Sequence, residues 1–308
     1  MRIFQSGLTL YRKTIKPIRP IHVALHRVMV QGVLPLLEAF RGFRTMPDDP
    51  FWFRLELLTD RHEANTVQLV RRIVQPGMVV LDVGAHVGYY ARHFARLVDP
   101  GGRVLAFEPH PRTFGILSQN VSRFACVEAE QVAVSDEEGT AELYDYLMMS
   151  ASGSLHYDES ILQMQKSQLS ENDIAPRIAT DFPVERYTVR TVPLDRFLPT
   201  RGVERVDLVK MDIEGAEMSA LRGMRETIAR SPRLALIMEY NPQALKASYE
   251  RPQQALDEVM ALGFSRMQAV GAGGALTDLT GGGAALDDLT AGLMQSLGVI
   301  NLLFTRGG

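Results

Sequence analysis

A chain of 308 residues, 46% of them hydrophobic, is long enough to bury one sizeable core. Its single cysteine, Cys126, excludes an intramolecular disulfide framework, and Gln31, Pro35 and Glu38 interrupt the richest apolar stretch before it could span a membrane. The net charge of -3 hides an asymmetry, because residues 1–44 hold eight Lys and Arg against Glu38 alone, which is +7 and leaves −10 for the remainder. Such an arm can lie on an anionic membrane face; Pro17, Pro20 and Pro35 break any long amphipathic helix and favour a docking helix with a solvated basic face. The start of the chain lacks a secretory pattern, so a reducing, cytoplasmic setting is expected.

From residue 63 the pattern alternates between helical spacing and short apolar runs, as repeated strand and helix units on a parallel sheet do. Val67, Val70 and Val74 mark one helical face, Pro76-Gly77 stops it, and residues 78–83 form an apolar strand of the kind buried on both sides. Gly88 opens a helix to Val98, and a second strand covers 103–108. Pro111 suits a helical first turn, behind which Phe114, Leu117, Val121 and Phe124 face the sheet. Residues 127–134 read as the third strand. Residues 145–190 then form a polar insertion, too long for a simple connection and therefore expected near an acceptor site. The alternation resumes with strands at 206–212 and 233–239, helices at 216–230 and 252–262, and a segment at 264–270. Two loosely similar stretches, 273–280 and 282–290, read as a glycine-rich connection before an antiparallel closing strand at 299–305. The expected division is a basic helical arm over 1–62 and a catalytic domain over 63–308.

The strongest local signal is Asp82-Val83-Gly84-Ala85-His86-Val87-Gly88, where an apolar strand gives way to an amphipathic helix. Glycines there let the backbone approach a ligand, and the N–H groups of the helix start attract a carboxylate or phosphate. The dinucleotide fingerprint would need glycine at 86 and 89, where His86 and Tyr89 stand, so a nicotinamide reading fails at two of its three positions. A second acid, Glu108, closes the next strand, where a carboxylate can accept both hydroxyls of a ribose.

Four blocks occur in order: Val-Leu-Asp-Val-Gly-Ala-His-Val-Gly (80–88), Phe-Glu-Pro-His-Pro (107–111), Ala-Val-Ser-Asp (133–136) and Lys-Met-Asp-Ile-Glu-Gly-Ala-Glu (210–217). Together they resemble the FkbM family of O-methyltransferases over roughly residues 63–306. The resemblance implies an α/β, Rossmann-like class I methyltransferase fold: a seven-stranded, mostly parallel sheet with one antiparallel closing strand and helices on both faces. It implies S-adenosylmethionine as cofactor, with Asp82, Gly84, Ala85, His86 and Gly88 around its methionine part and Glu108 on its ribose. Asp136 would meet the adenine amino group, although Ser135–Gly139 also reads as an ordinary acidic turn. The family usually has Asn where this chain has His86. A Gly84→Arg change is expected to fill the cofactor cleft and leave the fold intact.

The fourth block sets Asp212 at a strand end followed by Glu214 and Glu217. Substrates of open α/β sheets bind beyond the carboxyl ends of the strands, so Asp212 or Glu214 can serve as base for a hydroxyl acceptor. Glu217 reads as structural, an acid near a helix N-terminus. A divalent metal is not favoured, but Asp212, Glu239 and Asn241 would be its oxygen ligands. His86, His110 and His156 are further possible bases, with hydrogen bonding the plainer role for each. Phe51-Trp52-Phe53 reads as an anchor for the arm. The expected acceptor is a hydroxyl of a sugar, glycan or small natural product. Nucleic-acid methylation is disfavoured, since no Asn/Asp-Pro-Pro-aromatic segment follows the fourth strand and the catalytic part is acidic. A protein acceptor, or a cofactor-binding scaffold without catalysis, are the alternatives.

Overall fold

The computed structural model describes residues 19–145, 150, 153–155, 184–213, 215–246 and 248–307. The chain enters through α1 (Arg19–Val28), a five-residue π turn (Met29–Val33) and α2 (Leu34–Arg41), which run on without a break, so Pro20 and Pro35 do not interrupt the helix as expected, Pro35 sitting in the first turn of α2; α3 (Phe51–Leu58) follows. Next come α4 (Ala64–Ile73), β1 (Val79–Val83), α5 (Tyr89–Val98), β2 (Arg103–Phe107), α6 (Pro111–Val121) and β3 (Val127–Glu130). β4 (Ala133–Val134), β5 (Gly139–Asp145) and β6 (Glu185–Val192) leave the main sheet and pair among themselves. α7 (Leu194–Thr200), β7 (Leu208–Met211), α8 (Glu217–Arg222), α9 (Arg225–Arg230), β8 (Ala235–Tyr240) and α10 (Pro242–Leu245) follow. The chain closes with α11 (Gln253–Ala261), β9 (Arg266–Val270), β10 (Leu276–Asp278), α12 (Ala284–Ser296) and β11 (Ile300–Thr305).

The main sheet has the order β10-β9-β11-β8-β7-β1-β2-β3. β11 runs antiparallel between β8 and β9, while β1, β2, β3, β7 and β8 are parallel. Strand order reverses at β1, which has β2 on one side and β7 on the other, so the cleft that binds ligands in such sheets opens above β1 and β7. Alternation along each strand splits the core between two faces. Leu81, Val83, Val209 and Met211 pack on the α8 and α11 side; Val80, Ala106 and Leu208 pack on the other, with Val67, Val70 and Phe94 from α4 and α5.

The Rossmann-like class I arrangement is present, with eight main-sheet strands in place of the expected seven. The additional strand, β10, is three exposed residues pairing antiparallel with β9, too short and too polar to announce itself by alternation. The stretch read as a glycine-rich connection contains β10 and the 13-residue α12, whose inner face is Leu286 and Thr290. The expected third strand is two: β3 stays in the main sheet, whereas β4 pairs with β6. The helix expected over 216–230 breaks at Gly223, because an ideal Cβ there would lie 2.0 Å from the Ser135 carbonyl oxygen. Gly223 also uses its own carbonyl to accept a 2.9 Å hydrogen bond from Asp195 N.

Leu34, Phe43, Met46, Leu57 and Leu58 of the N-terminal segment join the same apolar cluster as Val70 and Phe94, each fully buried leucine being worth about 1.5–3 kcal/mol. Polar ties fix the angle of that packing. The buried Arg54 donates to Thr45 Oγ1 (2.8 Å), Pro47 O (3.2 Å) and Glu38 Oε1 (3.1 Å). Arg92 of α5, wholly buried, donates to Leu57 O and Asp60 and lays its guanidinium 4.1 Å from the Phe43 ring centroid. Asn120 of α6 donates to Arg44 O (2.9 Å) and Val87 O (2.7 Å) and accepts from Arg44 N (2.7 Å), which binds the arm to the loop after β1.

Candidate active site

Three strand ends clamp the loop over 84–88. Gly84 N and Ala85 N donate to Phe107 O at 3.0 and 2.9 Å, and Asp212 N donates to Val83 O at 3.0 Å. Gly84 has φ +82°, and an ideal Cβ on it would lie 1.9 Å from the Asp212 carbonyl oxygen. The expectation that a side chain here would enter an open cleft is therefore overturned: backbone fills that space, and glycine is required by the fold itself. Gly88, at φ +85°, stands at the start of α5, where a Cβ would meet Leu117 Cδ1 at 2.8 Å. His86 takes φ +50°, a left-handed conformation that Asn and His tolerate better than most residues, which accounts for the exchange at this position.

The two turns converge on Glu108. His86 N donates to its Oε2 and His110 N to its Oε1, each at 2.9 Å, so the carboxylate is fixed while its remaining lone pairs stay available. Burial raises its pKa to about 7. The buried Asp82 also rises to about 7 through burial, offset in part by the backbone of Ala91, and among the described residues neither of its oxygens holds a well-formed hydrogen bond. An orphaned carboxylate beneath a pinned one, behind a loop of left-handed residues, fits a ligand that brings an ammonium at one end and a diol further along.

His86 extends this loop outward. Its Nε2 lies 2.5 Å from Ser150 Oγ, and Ser150 donates from N and Oγ to Asp49 Oδ1 (2.8 Å) and Oδ2 (2.7 Å). Because the hydroxyl proton goes to Asp49, His86 must donate through Nε2 and keep Nδ1 as an acceptor. Burial drives its pKa down to about 3, so the ring is neutral and poorly suited as a base. His110 is likewise engaged: Nδ1 accepts from Thr113 N at 3.3 Å and Nε2 lies 3.0 Å from Asp145 Oδ2 at the end of β5. His156 and Glu214 lie outside the described residues.

Asp212 carries the other side of the cleft. Lys210 Nζ, wholly buried, donates to Asp212 Oδ2 at 2.5 Å and lies 3.9 Å from Glu63 Oε2 and 4.8 Å from the Tyr90 ring centroid. Burial alone would raise the Asp212 pKa, but the Lys210 ammonium outweighs it and holds the carboxyl below its usual range. Glu63 accepts from Tyr90 OH (2.8 Å) and Asn301 Nδ2 (2.5 Å). Single oxygens of Glu63, Asp212 and Glu239 come within 4.8 Å of one another. Asn241 is not the third member, since its Oδ1 accepts from Gln243 N and Ala244 N at 3.2 Å and caps α10. Glu63 takes that place, and Lys210 already supplies a cation to the group. Glu217 Oε1 accepts from Ile213 N and Gly215 N at 3.3 Å and so holds the turn after Asp212. Asp136 sits apart from these groups: it accepts from Ser219 Oγ (2.7 Å) and Arg222 Nε (3.1 Å), and none of its hydrogen bonds among the described residues reaches Glu108 or the loop.

The sequence reading omitted Lys210, Glu63 and His62. A lysine in the otherwise apolar strand Leu208–Met211 was a usable signal, because a cation in a buried parallel strand demands a partner. His62 packs edge-on against Phe53 and Tyr89, at 5.2 and 5.4 Å between ring centroids, and burial lowers its pKa. Nothing in its local sequence marks it.

The chain matches the family described as methyltransferase FkbM domain over residues 82–265. It is 29% identical over 184 residues to 2-O-methyltransferase NoeI of Sinorhizobium fredii, covering 58% of this chain and 69% of that protein. It is 31% identical over 219 residues to 31-O-demethyl-FK506 methyltransferase FkbM of Streptomyces tacrolimicus, covering 67% and 77% respectively. With hexuronic acid methyltransferase AglP of Haloferax volcanii it shares 24% identity over 168 residues, 54% of this chain and 59% of that one. The chain thus belongs to the FkbM methyltransferase family, a class I enzyme whose cofactor is S-adenosylmethionine.

Proposed function

We propose that this protein methylates a hydroxyl oxygen on a sugar or another polyhydroxylated small molecule. The observation that carries the reading is the position of Asp212: a fixed carboxylate at the carboxyl end of β7, its backbone pressed against Gly84 of the cofactor loop. The names of the relatives, which specify a 2-O-methyltransferase and a hexuronic acid methyltransferase, support an oxygen acceptor and a sugar class.

When bound, S-adenosylmethionine supplies a methyl group on a sulfonium, open to in-line displacement. Glu108 would accept the ribose hydroxyls, and Asp82, whose oxygens hold no well-formed hydrogen bond among the described residues, would receive the amino group of the methionine end. Asp136 remains the candidate for the adenine amino group, through lone pairs that Ser219 and Arg222 leave free. Asp212, with Oδ2 held by Lys210, aligns the acceptor hydroxyl. Ion pairing makes Asp212 a weak base, and His62, a buried imidazole coupled electrostatically to Asp212, is the candidate to take the proton. Glu214, two residues after Asp212 in sequence, is the other candidate for that proton. Lys210 already pairs with Asp212 and lies beside Glu63, so this reading assigns no metal to the acidic group.

The test is transfer of labelled methyl from S-adenosylmethionine to a panel of sugars, hydroxylated small molecules, peptides and RNA. Label on a hydroxyl oxygen supports the reading; label on peptide or RNA, or binding with no transfer to anything, overturns it. Asp212→Asn should abolish turnover and keep cofactor affinity, whereas His62→Gln should lower kcat and remove the acid limb of its pH profile.

A further inference from the structure

We infer that the outer face of the α1–α2 helix is a docking surface for an anionic lipid bilayer. Glu38, the sole acid among residues 1–44, turns inward, where it accepts from Thr45 N and Arg54 Nη2 at 3.1 Å each. The solvent side is therefore free of carboxylates along the whole helix. It carries Val28, Leu36 and Phe40 at 60%, 72% and 86% exposure. Leu36 and Phe40 are one turn apart, and the π turn over Met29–Val33 underwinds the helix so that Val28, eight residues before Leu36, falls on the same side. Leu34 on the opposite side is wholly buried, so the helix already has its core contact and the outer apolar row is surplus to it.

Charge selects the occupant. Arg27 on α1 and Arg44, three residues past α2, are exposed, and Arg2, Arg12, Lys13, Lys16 and Arg19 precede the row in the sequence without an acid. A second copy would bring one +7 segment against another. An anionic bilayer offers a negative surface for the cations and an acyl boundary for Phe40 and Leu36. Trp52, 42% exposed, stands 4.9 Å in ring centroids from Phe51, which itself meets the His26 ring of α1, so an interfacial aromatic borders the same helix. No described helix is long and apolar enough to cross a membrane, so the contact is peripheral.

The experiment is co-sedimentation of the full chain with vesicles of phosphatidylcholine alone and of phosphatidylcholine mixed with phosphatidylglycerol, at low and raised salt. Expected are binding to the mixed vesicles only, weakening with salt, and a loss of about tenfold or more in partitioning for L36E/F40E and for R27E/R44E. Both variants should keep the wild-type melting temperature and S-adenosylmethionine affinity, since these side chains face solvent. The inference is overturned by equal binding to both vesicle types, by binding to neither, or by variants that bind as wild type. It is also overturned if the wild type is a dimer in solution that F40E converts to a monomer, which would make the face a contact between copies. These readouts do not depend on the acceptor, so failure of the proposed reaction leaves them interpretable.

Discussion

Lys210 Nζ lies 2.5 Å from Asp212 Oδ2, two residues further along the same chain, so the carboxylate proposed to align the acceptor is bound to a wholly buried ammonium. Glu63 and Asp82 share the same ammonium electrostatically, and each keeps the lysine charged despite its burial. The pair holds Asp212 in place and favours its ionised form. It also concentrates the stability of the cleft in one side chain.

Lys210→Met should therefore destabilise the protein by about 3–5 kcal/mol, because it strands carboxylates in a buried site. Denaturant midpoints measure this. The double variant K210M/D212N should recover part of the loss, and a single variant as stable as wild type would deny the ion pair its role.

Gly84→Ala should cost about 1–3 kcal/mol or more, since the methyl would meet the Asp212 carbonyl at 1.9 Å in a left-handed conformation. Gly88→Ala meets side chains and no backbone, Leu117 Cδ1 at 2.8 Å and Val121 Cγ1 at 3.3 Å, and should cost less. Thermal melts of the two variants rank them. A normal melt for Gly84→Ala with lost cofactor binding would restore the open-cleft account.

Burial raises Glu108 from an ordinary 4.5 to about 7, so the folded protein without cofactor holds a proton there that the unfolded chain releases. Stability from this group is complete below about pH 4.5 and is lost as pH rises through about 7. Cofactor binding runs the other way, because the ionised carboxylate is the better acceptor for ribose hydroxyls. Calorimetry should show affinity for S-adenosylmethionine rising between about pH 6 and 8, and Glu108→Gln should flatten both profiles. A pH-independent affinity in the wild type would count against ribose contact at Glu108.

Chelation should leave activity unchanged, because Lys210 supplies the positive charge among Glu63, Asp212 and Glu239. Assay after dialysis against EDTA checks this. Lost activity that Mg²⁺ restores would show that the three oxygens hold a metal beside the lysine.

The primary structure determined much of the architecture. Alternating apolar runs fixed the parallel strands, since each strand buried on both faces must read as a continuous apolar segment, and the loop at 84–88 with Glu108 followed from where those strands end. Local pattern could not show that β4 leaves the main sheet, that Gly223 breaks a helix against Ser135, or that Leu276–Asp278 pairs at an edge, because each is decided by a neighbour distant in sequence.

The site divides in the same way. Asp82, Glu108 and Asp212 were legible as acids at strand ends. Their partners were not: Glu63 reaches Asp212 across 149 positions only because the tertiary fold sets the start of α4 beside Lys210 of β7, and Ser150 meets both Asp49 and His86 only because the arm folds back on the loop. Asn241 looked like a ligand by position, but its oxygen is consumed by the nearest helix start. Periodicity reports which face a residue occupies, whereas hydrogen bonding depends on what the rest of the chain brings to that face, and this is a property of tertiary packing alone.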